Sequence, residues 1–502
     1  MARADTTVDA YEELCERYAH IANVKNSAGV LRWDQQVMMP EGGTPARSQQ
    51  LSTLSAVHHE QLTDPELGEL LDELDGSDLD PEQEAVVREV RHEHERRTEI
   101  PSELVEKLTR TQAESQEVWQ EAKATDDFEQ FAPTLVELRD LHVERAGHID
   151  PDREPYEVLH EDSERDIPLS KVEEIFDTLR EELVSLIEEI RENGDELPSP
   201  FVERGPYDEE TQMELSQATL DVLGYDRDRG RIDTAPHPFM SGNQFDARVT
   251  TRFKPEDPLD ALTATIHEFG HATYQLGLSQ DHYANPLGES RSAGVHESQS
   301  RFWENHVGRT RAFWELFLPT LKEHLPGTED VTVEEAYQAA NRIYPENLIR
   351  VEADELTYHF HIMLRYEIGR DFVEGNIDVE EIPQLWNEKM DEYLGITPDT
   401  DTNGALQDIH WSSRFAAFQG YTIGSVLAAQ LNAALREDID DVDGKIRRGE
   451  FEPLREWMTE NVHSHGKRYT ADQLVEEATG EPLTADYFVE YAREKFTELY
   501  GL

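Results

Sequence analysis

The sequence predicts a mostly α-helical protein that contains one small β-sheet. Three observations support this fold class. Apolar residues recur at helical spacing through nearly all of residues 1–195. Apolar and polar residues alternate, as they do in β-strands, only within residues 229–253. Helical patterns resume at Pro258 and continue to the C-terminus, so we expect helices on both sides of the sheet along the chain.

The N-terminal helical part ends at a recognisable stop signal. The segment VEEIFDTLREELVSLIEEIRENG repeats apolar residues at helical spacing and ends at Gly194. The 502 residues exceed the size of one small core, but we find no Gly/Ser/Pro-rich linker and no internal repeat. We therefore expect a single unit over residues 1–502, made of a helical part at 1–195 and a second part at 196–502.

The predicted sheet lies just before the helix that begins at Pro258. The stretch RGRIDTAPHPFM has a strand-like pattern. The stretch FDARVTTRF alternates more clearly, with apolar or β-branched side chains at Phe245, Ala247, Val249, Thr251 and Phe253. His237 and Arg248 lie in these stretches, and a structural role is the default interpretation for both.

The next helix carries two histidines four residues apart. Its segment is DPLDALTATIHEFGHATYQLG, in which Asp257 and Pro258 are typical of an N-cap and a first helical position. Its apolar seam consists of Leu259, Leu262, Ile266 and Phe269. His267 and His271 share one face beside this seam, where two imidazoles can reach a single cation.

The motif His-Glu-Phe-Gly-His predicts a zinc site, and two core histidines are the alternative. Glu268 cannot easily share the ligand face, and it is better placed to take a proton from a metal-bound water. Gly270 costs about 1 kcal/mol relative to alanine inside a helix, which indicates that something packs close to the backbone there. With 20 histidines in the chain, the motif arises by chance roughly 0.1 times per sequence of this size.

A catalytic zinc site needs three protein ligands and an open position for water. The segment SAGVHESQSRFWENHVGRTRAFWELF predicts a second helix that opens near Ser290–Ser292, and Glu297 is its best candidate ligand. His296 competes with it, because about 100° of helical rotation separates neighbours and only one can face the metal. Spacing leaves both open. Arg301 lies one turn beyond Glu297 and either holds its carboxylate or lies on a solvated helix face.

Two later segments concentrate polar groups. In NLIRVEADELTYHFHIMLRYE, Arg350, Asp354 and His361 fall near one helical stripe. Arg350 could clamp a substrate carboxylate through its planar guanidinium, or it could pair with Asp354. In TNGALQDIHWSSRFAAFQGYTIGS, His410 and Tyr421 are candidate donors to a tetrahedral oxyanion, or buried core residues.

The composition is extremely acidic. The net charge is −62, with 108 acidic residues spread from end to end and only ten lysines against 36 arginines. A folded chain with such a surface is typical of adaptation to molar salt, where the Debye length falls to about 3 Å. The alternative is an acidic protein from an ordinary environment. The charge also argues against binding to nucleic acid or to anionic membranes.

The N-terminus and the cysteine content predict a cytoplasmic protein. Cys15 is the only cysteine, so an intramolecular disulfide is impossible. The first 20 residues lack the apolar core of a signal peptide, and no apolar run approaches the roughly 20 residues of a membrane span.

Six short motifs occur in an order that resembles one enzyme family. They are HPF from His237, DARVT from Asp246, HEFGH from His267, HESQ from His296, IRVEAD from Ile349 and GALQDIHW from Gly404. Together they resemble the thermostable metallocarboxypeptidases typified by carboxypeptidase Taq. LRWDQQVMMPEGG from Leu31 extends the resemblance over nearly the whole chain. Val37, where we expect threonine, and the segment HEDSERDIP from His160 depart from the family pattern outside the metal motifs.

The resemblance implies a role for each candidate site residue. By family pattern, the metal ligands are His267, His271 and Glu297, whereas His296 is not a ligand. Glu268 becomes the general base and acid. Arg350 becomes the carboxylate binder, with Arg248 as a second candidate. His410 and Tyr421 become transition-state donors or substrate contacts, and His237 becomes a residue of the substrate pocket.

The resemblance also implies a fold and an activity. The expected fold is all-helical with a deep groove, related to angiotensin-converting enzyme and neurolysin, usually as a homodimer. The expected cofactor is zinc, which cobalt can replace. Members remove residues singly from the free C-terminus of peptides, with broad specificity and stalling at proline. The alternatives are an oligopeptidase that cuts inside short peptides and an inactive acidic scaffold.

Overall fold

The computed structural model describes residues 2–502, with side chains described except at positions 2–7 and 41. The regular secondary structure of the described chain is almost entirely helical, with one three-stranded sheet. The predicted fold class is therefore confirmed. None of the described helices combines the length and the apolar character that crossing a lipid bilayer requires.

Helices fill the chain on both sides of the sheet. Before it lie α1 (Ala2–Val37), α2 (Thr44–Leu62), α3 (Pro65–Leu74), α4 (Pro81–Thr98), α5 (Ser102–Thr125), α6 (Phe128–Ile149), α7 (Pro155–His160), α8 (Leu169–Asn193) and α9 (Glu209–Leu223). After it lie α10 (Pro258–Gly277), α11 (Ala293–Arg301), α12 (Arg311–His324), α13 (Val333–Ala340), α14 (Tyr358–Val373), α15 (Ile382–Leu394), α16 (Gln419–Asp438), α17 (Val442–Arg447), α18 (Glu452–Asn461), α19 (Ala471–Thr479) and α20 (Asp486–Tyr500). A π-helical segment, Phe302–Gly308, follows α11 directly.

Local signals set the starts of α10 and α11 and the end of α8 where the sequence predicts them. Asp257 caps α10, because its carboxylate accepts a hydrogen bond of 3.1 Å from the N–H of Leu259. Ser292 caps α11 in the same way through the N–H of Val295. Gly194 is the C-cap of α8. These ends depend on neighbours in sequence, which is why they are predictable without the tertiary structure.

The sheet consists of β1 (Ile232–Thr234), β2 (Met240–Asn243) and β3 (Asp246–Thr251), with β3 in the middle. β3 runs parallel to β1 and antiparallel to β2. Ala247 and Val249 are fully buried, as their alternation predicts. Phe245 is an exception to that prediction. It lies in the two-residue turn between β2 and β3, is 47% exposed, and packs against Tyr283.

Buried apolar side chains form one large core and smaller separate ones in the described chain. The large core takes residues from Trp119 to Tyr500 and so crosses position 195. A second core joins α1, α3 and α4 to Ala284 and Leu287. The N-terminal helices therefore pack mainly against each other, and they contact the rest of the molecule over a smaller apolar area.

Charged side chains connect the second core to the rest. Glu89 of α4 contacts Arg291 at 3.1 Å and Arg165 at 2.9 Å. Lys467 contacts Glu289 at 2.8 Å. These five side chains are also part of the lining of a groove of about 1020 Å³. The groove has α4 and α5 on one side and residues 413–417 on another, so it lies between the N-terminal helices and the part that carries the predicted site.

Candidate active site

α11 packs closely against two neighbouring helices, α10 and α16, in each case at a glycine of the neighbour. A Cβ on Gly270 would lie 2.5 Å from the carbonyl oxygen of Gln299 and from the Cα of Ser300. A Cβ on Gly424 of α16 would lie 2.5 Å from the Cβ of Glu297. Glu297 is thus held between α10 and α16. The close approach predicted from Gly270 is confirmed, and α11 is the segment that makes it.

Three side chains on these helices converge on one point. Potential ligand atoms of His267, His271 and Glu297 all lie within 4.8 Å of one another. Oε2 of Glu297 is 3.9 Å from Nε2 of His267 and 3.6 Å from Nε2 of His271. Two imidazole nitrogens and one carboxylate oxygen match the donor set of a catalytic zinc site that leaves a fourth position open. The residues present therefore fit a divalent metal ion.

Outer contacts orient both imidazoles toward this point. Nδ1 of His267 is 2.8 Å from Oε2 of Glu304, and Nδ1 of His271 is 3.1 Å from the carbonyl oxygen of His296. Each Nδ1 position is therefore occupied, and each Nε2 faces the convergence point. Glu304 was not predicted from the sequence. Its spacing of seven residues, or two helical turns, from Glu297 was the available signal.

Arg301 joins the two carboxylates behind the site. Its Nε is 2.8 Å from Oε1 of Glu297, and its Nη1 is 3.2 Å from Oε2 of Glu304. Burial opposes ionisation of Glu304, but Arg301 and Arg309 outweigh that effect and hold the pKa of Glu304 well below its usual range. The hypothesis that Arg301 holds Glu297 is confirmed, and the solvated-face alternative is wrong because only 15% of its side chain is exposed.

Glu268 lies beside the convergence point with an unused oxygen. The residue is buried, and its Oε2 has no hydrogen-bond partner among the described residues. Burial raises the pKa of Glu268 to about 7; the charge of His267 lowers it and that of Glu297 adds to the rise. A carboxyl group with this pKa can both accept and return a proton near neutrality.

His296 lies behind His271 and outside the convergence point. Its ring stacks on that of His271 with centroids 4.5 Å apart, and its Nε2 is 3.2 Å from Nε2 of Gln275. Burial and the charge of His267 lower the pKa of His296 to about 4. The geometry therefore favours Glu297 over His296 as the third donor, a choice that spacing left open.

Arg350 does not share a helical stripe with Asp354, and the predicted pair between them is wrong. Arg350 lies on a short 3₁₀ turn before α14. Asp354 instead accepts hydrogen bonds from the N–H groups of Leu356, Thr357 and Tyr344. Its carboxylate therefore holds the backbone just before α14, which begins at Tyr358. The prediction that Arg350, Asp354 and His361 share one helical stripe assumed that this helix begins earlier.

Arg350 faces a different set of partners. Its Nη2 is 3.6 Å from Oδ1 of Asp408 and 3.4 Å from Nδ1 of His410. The guanidinium carbon lies 5.3 Å from the ring centre of Phe418 and 6.0 Å from that of Tyr421. The Nε of Arg350 has no hydrogen-bond partner in the described part of the chain. Arg350 is thus a buried cation that keeps a free donor.

The remaining candidates divide between this cluster and the sheet. Nδ1 of His410 is 2.7 Å from Oδ1 of Asp408. Burial lowers the pKa of His237, and the charges of Arg252, His410 and Arg350 add to this effect. His361, by contrast, is fully buried, and neither ring nitrogen has a partner among the described residues.

Arg248 lies apart from the other candidates. Its Nη2 is 2.6 Å from Oδ2 of Asp246, and its guanidinium carbon lies 4.4 Å from the ring centre of Trp33. It therefore ties β3 to α1 through the cation–π contact with Trp33, while its ion pair with Asp246 stays within β3. Arg248 is not among the residues that line the groove. Its proposed contact with a substrate carboxylate stays a prediction.

Comparison with known proteins identifies the family. Residues 13–496 match the family model described as carboxypeptidase Taq (M32) metallopeptidase. The chain belongs to the carboxypeptidase Taq (M32) family. It is 35% identical over 507 residues to thermostable carboxypeptidase 1 of Thermus thermophilus, covering 98% of this chain and 99% of that one. It is 34% identical to carboxypeptidase 1 of Bacillus subtilis, covering 99% and 100%. This M32 chain is therefore a metallocarboxypeptidase.

Solved structures agree with this assignment. The M32 carboxypeptidase of Deinococcus radiodurans matches with a TM-score of 0.94 and 37% identity, covering 98% of this chain and 100% of that one. A structure of the Pyrococcus furiosus carboxypeptidase matches with a TM-score of 0.93 and 34% identity, covering 97% and 99%. The resemblance inferred from six short motifs is confirmed across nearly the full length.

Proposed function

We propose that this M32 chain is a zinc-dependent enzyme that removes single residues from the free C-terminus of peptides. The observation that carries the proposal is the convergence of His267, His271 and Glu297 beside Glu268, which has an unpartnered oxygen. Broad specificity and poor cleavage at proline are carried over from the family resemblance. Cobalt is proposed as a working substitute for zinc, because the same donor set accepts both ions.

In the proposed mechanism Glu268 moves the proton. Zinc bound by the three ligands would lower the pKa of a coordinated water and polarise the scissile carbonyl. Glu268, whose pKa burial raises to about 7, accepts the proton of the attacking water and returns it to the leaving amine. Tyr421 and His410 are proposed to donate hydrogen bonds to the developing oxyanion. Glu304 and Arg301 keep the ligand side chains in place.

Arg350 is proposed to bind the terminal carboxylate and so make the enzyme an exopeptidase. Its guanidinium is buried, retains an unpartnered Nε, and lies next to Tyr421. Asp408 faces Nη2 of Arg350 at 3.6 Å, and it also pairs with Arg365 at 3.5 Å. A bidentate contact with a substrate carboxylate would use donors that Asp408 leaves free. His237 and Arg248 are proposed as further substrate contacts.

One peptide offered in two forms tests the activity. We expect a metal-dependent ladder from an N-acetylated peptide with a free C-terminus, losing one residue at a time, and no reaction with its C-terminal amide. Arg350→Ala should lower kcat/KM on the free acid by about a hundredfold, because it removes a charge-assisted contact and leaves Asp408 short of a partner. Mass spectrometry of both peptides in molar KCl, with zinc or cobalt added or chelated, measures both effects.

Two outcomes would favour the alternatives. Internal cleavage of both peptide forms would make the protein an oligopeptidase and would leave Arg350 with a structural role. Absence of cleavage in every metal condition would favour an inactive scaffold. Arg342→Ala is a matched control, because Arg342 carries the same charge but contacts Ser199 at 2.6 Å rather than the candidate site. This control should cleave the free acid at the wild-type rate.

We also propose that the enzyme is cytoplasmic, homodimeric and adapted to high salt. The first two properties rest on the sequence signals and the family resemblance. The third rests on the net charge of −62. We expect circular dichroism to show loss of helix on dialysis from molar KCl into dilute buffer, because self-repulsion is then unscreened. Full helix content and full activity in dilute buffer would contradict salt adaptation.

A further inference from the structure

The groove beside the candidate site differs in charge from the rest of the molecule. Eight lysine or arginine side chains and seven aspartate or glutamate side chains line it, so the groove is close to neutral in a chain whose net charge is −62. Six of the eight contact acidic side chains, as Arg96 contacts Glu161 at 3.2 Å. Arg97 and Arg414 are the two that lack an acidic partner among the residues the structure describes. An unpaired cation in such a groove can bind an anionic group from outside.

Arg414 lies next to the candidate site, whereas Arg97 does not. The positive charge of Arg414 acts on the hydroxyl of Tyr421, a residue that lines the same groove with His271 and Glu297. Arg97 instead acts on His58 and His59 of α2. Of the two unpaired cations, Arg414 is therefore the one that a peptide would meet close to its scissile bond.

The backbone of Arg414 is fixed while its side chain is exposed. Its N–H donates to the carbonyl oxygen of His410 at 2.8 Å, and its own carbonyl accepts from Nη2 of Arg365 at 3.5 Å. The preceding carbonyls of Ser412 and Ser413 accept from Ser115 and Gln112 of α5 at 3.3 and 3.4 Å. The side chain of Arg414 is exposed and forms part of the groove lining. Its position is thus set by the fold, and its charge is available.

The position of Arg350 decides which part of a peptide lies in the groove. Arg350 contacts the ring of Tyr421 at 6.0 Å but does not line the groove, whereas Arg414 does. This step rests on the proposed function, in which Arg350 binds the terminal carboxylate. The leaving residue then lies on the Arg350 side of Tyr421, and the residues that precede the scissile bond extend along the groove past Arg414.

We propose that Arg414 is a specificity-determining residue that selects peptides with aspartate or glutamate at one of the two positions preceding the scissile bond. The contact is a charge-assisted hydrogen bond between the guanidinium and the substrate carboxylate. It is made by an exposed side chain, so the expected preference is moderate. Six of the other seven cations in the groove are already paired with acidic side chains, and the remaining one, Arg97, lies away from the candidate site.

Four peptides test the proposal. They are N-acetyl-Ala-Ala-Xaa-Leu and N-acetyl-Ala-Xaa-Ala-Leu, each with Asp or Asn as Xaa, and leucine release is measured at one fixed KCl concentration. At one of the two positions we expect kcat/KM to be about three- to fivefold higher for Asp than for Asn. In Arg414→Gln this ratio should fall to about one, and in Arg414→Glu it should invert. Cleavage of the Asn peptides should be unchanged in Arg414→Gln.

Arg110→Gln is the matched control. Arg110 lies on α5, is exposed, does not line the groove and has no acidic partner in the described chain, so its loss changes the net charge equally. The Asp/Asn ratio should stay at the wild-type value in this variant. Calorimetric titration of the four peptides into metal-free protein gives a second readout, in which the Asp/Asn affinity ratio should follow the same pattern.

Three results would overturn the role of Arg414. The first is a kcat/KM ratio of Asp to Asn peptides that is unchanged in Arg414→Gln at both positions. The second is a decrease of kcat/KM in Arg414→Gln that is equal for the Asp and the Asn peptides. The third is that Arg414→Gln no longer discriminates between a peptide with a free C-terminus and its amide. The last would make Arg414 the binder of the terminal carboxylate. Failure of the proposed function gives a different result, because metal-loaded wild-type enzyme would then release no leucine even from the Asn peptides. The ratio of Asp to Asn peptide affinities measured by calorimetry would still test the role of Arg414.

Discussion

Glu268→Gln is expected to keep the metal and to lower kcat by about a thousandfold. The substitution preserves the size of the side chain, so the packing of α10 should be retained. It removes the buried carboxyl group that lies beside the convergence point of His267, His271 and Glu297. That group has an unpartnered oxygen and a pKa that burial raises to about 7. An amide cannot take a proton from the attacking water. Steady-state kinetics, together with metal analysis of the same preparation, measures both parts.

Glu164→Gln is the matched control for this variant. Glu164 is also a fully buried carboxyl group whose pKa burial raises to about 7, but it contacts the backbone N–H of Gly294 at the start of α11. A glutamine oxygen can still accept that hydrogen bond, so we expect activity within about threefold of wild type. Retained turnover in Glu268→Gln would contradict the proposed base and would require another residue to move the proton.

Glu297→Ala is expected to lose the metal, whereas His296→Ala is expected to keep it. Removing one of three ligands should weaken zinc binding by more than the 10- to 100-fold that loss of an outer contact typically costs. His296 contributes a stacked ring at 4.5 Å from His271 and no donor to the convergence point, so its loss should weaken binding by less than about tenfold. Metal content after dialysis and competition with a chelator measure both affinities.

The fold of each variant must be checked before the affinities are compared. Glu297→Ala leaves Arg301 with Glu304 as its remaining partner within the site, and loss of one partner of a buried ion pair costs about 3–5 kcal/mol. Glu297→Gln keeps the volume and a hydrogen-bond acceptor for Arg301, so it separates loss of ligation from loss of stability. If Glu297→Gln retains zinc and His296→Ala loses it, then His296 is the third metal ligand and Glu297 is not.

Much of the fold could be predicted from the sequence because helix signals are local. The cap at Asp257, the apolar seam of α10 and the cap at Ser292 each depend on residues within one or two turns. Gly270 predicted a close approach, since a glycine inside a helix needs a packing reason. The sequence could not show that the approaching segment is α11, because that contact joins distant parts of the chain.

The residues of the candidate site that share one helix could be predicted from the sequence. Contacts between residues of different elements could not. His267, Glu268 and His271 follow from helical spacing alone. Glu304 was missed, because a π-helical segment begins at Phe302 and its contact with His267 spans 37 residues. The prediction that Arg350 shares a helical stripe with Asp354 was wrong, because Arg350 lies on a 3₁₀ turn before α14. Its side chain contacts Asp408 and His410, which come from a distant segment of the chain.

The sequence by itself determined the helical fold class, the small sheet before α10, the paired histidines and, through ordered motifs, the family. Residue spacing left Glu297 and His296 open and the family resemblance chose Glu297, but the tertiary structure supplied the geometry that brings Glu297 to those histidines. The tertiary structure alone separated Arg350 from Asp354 and left the charge of Arg414 unpaired in the groove. The physical reason is the same in each case. Local spacing fixes which face of a helix a residue occupies, but the partner at that face comes from a distant segment that only packing brings near.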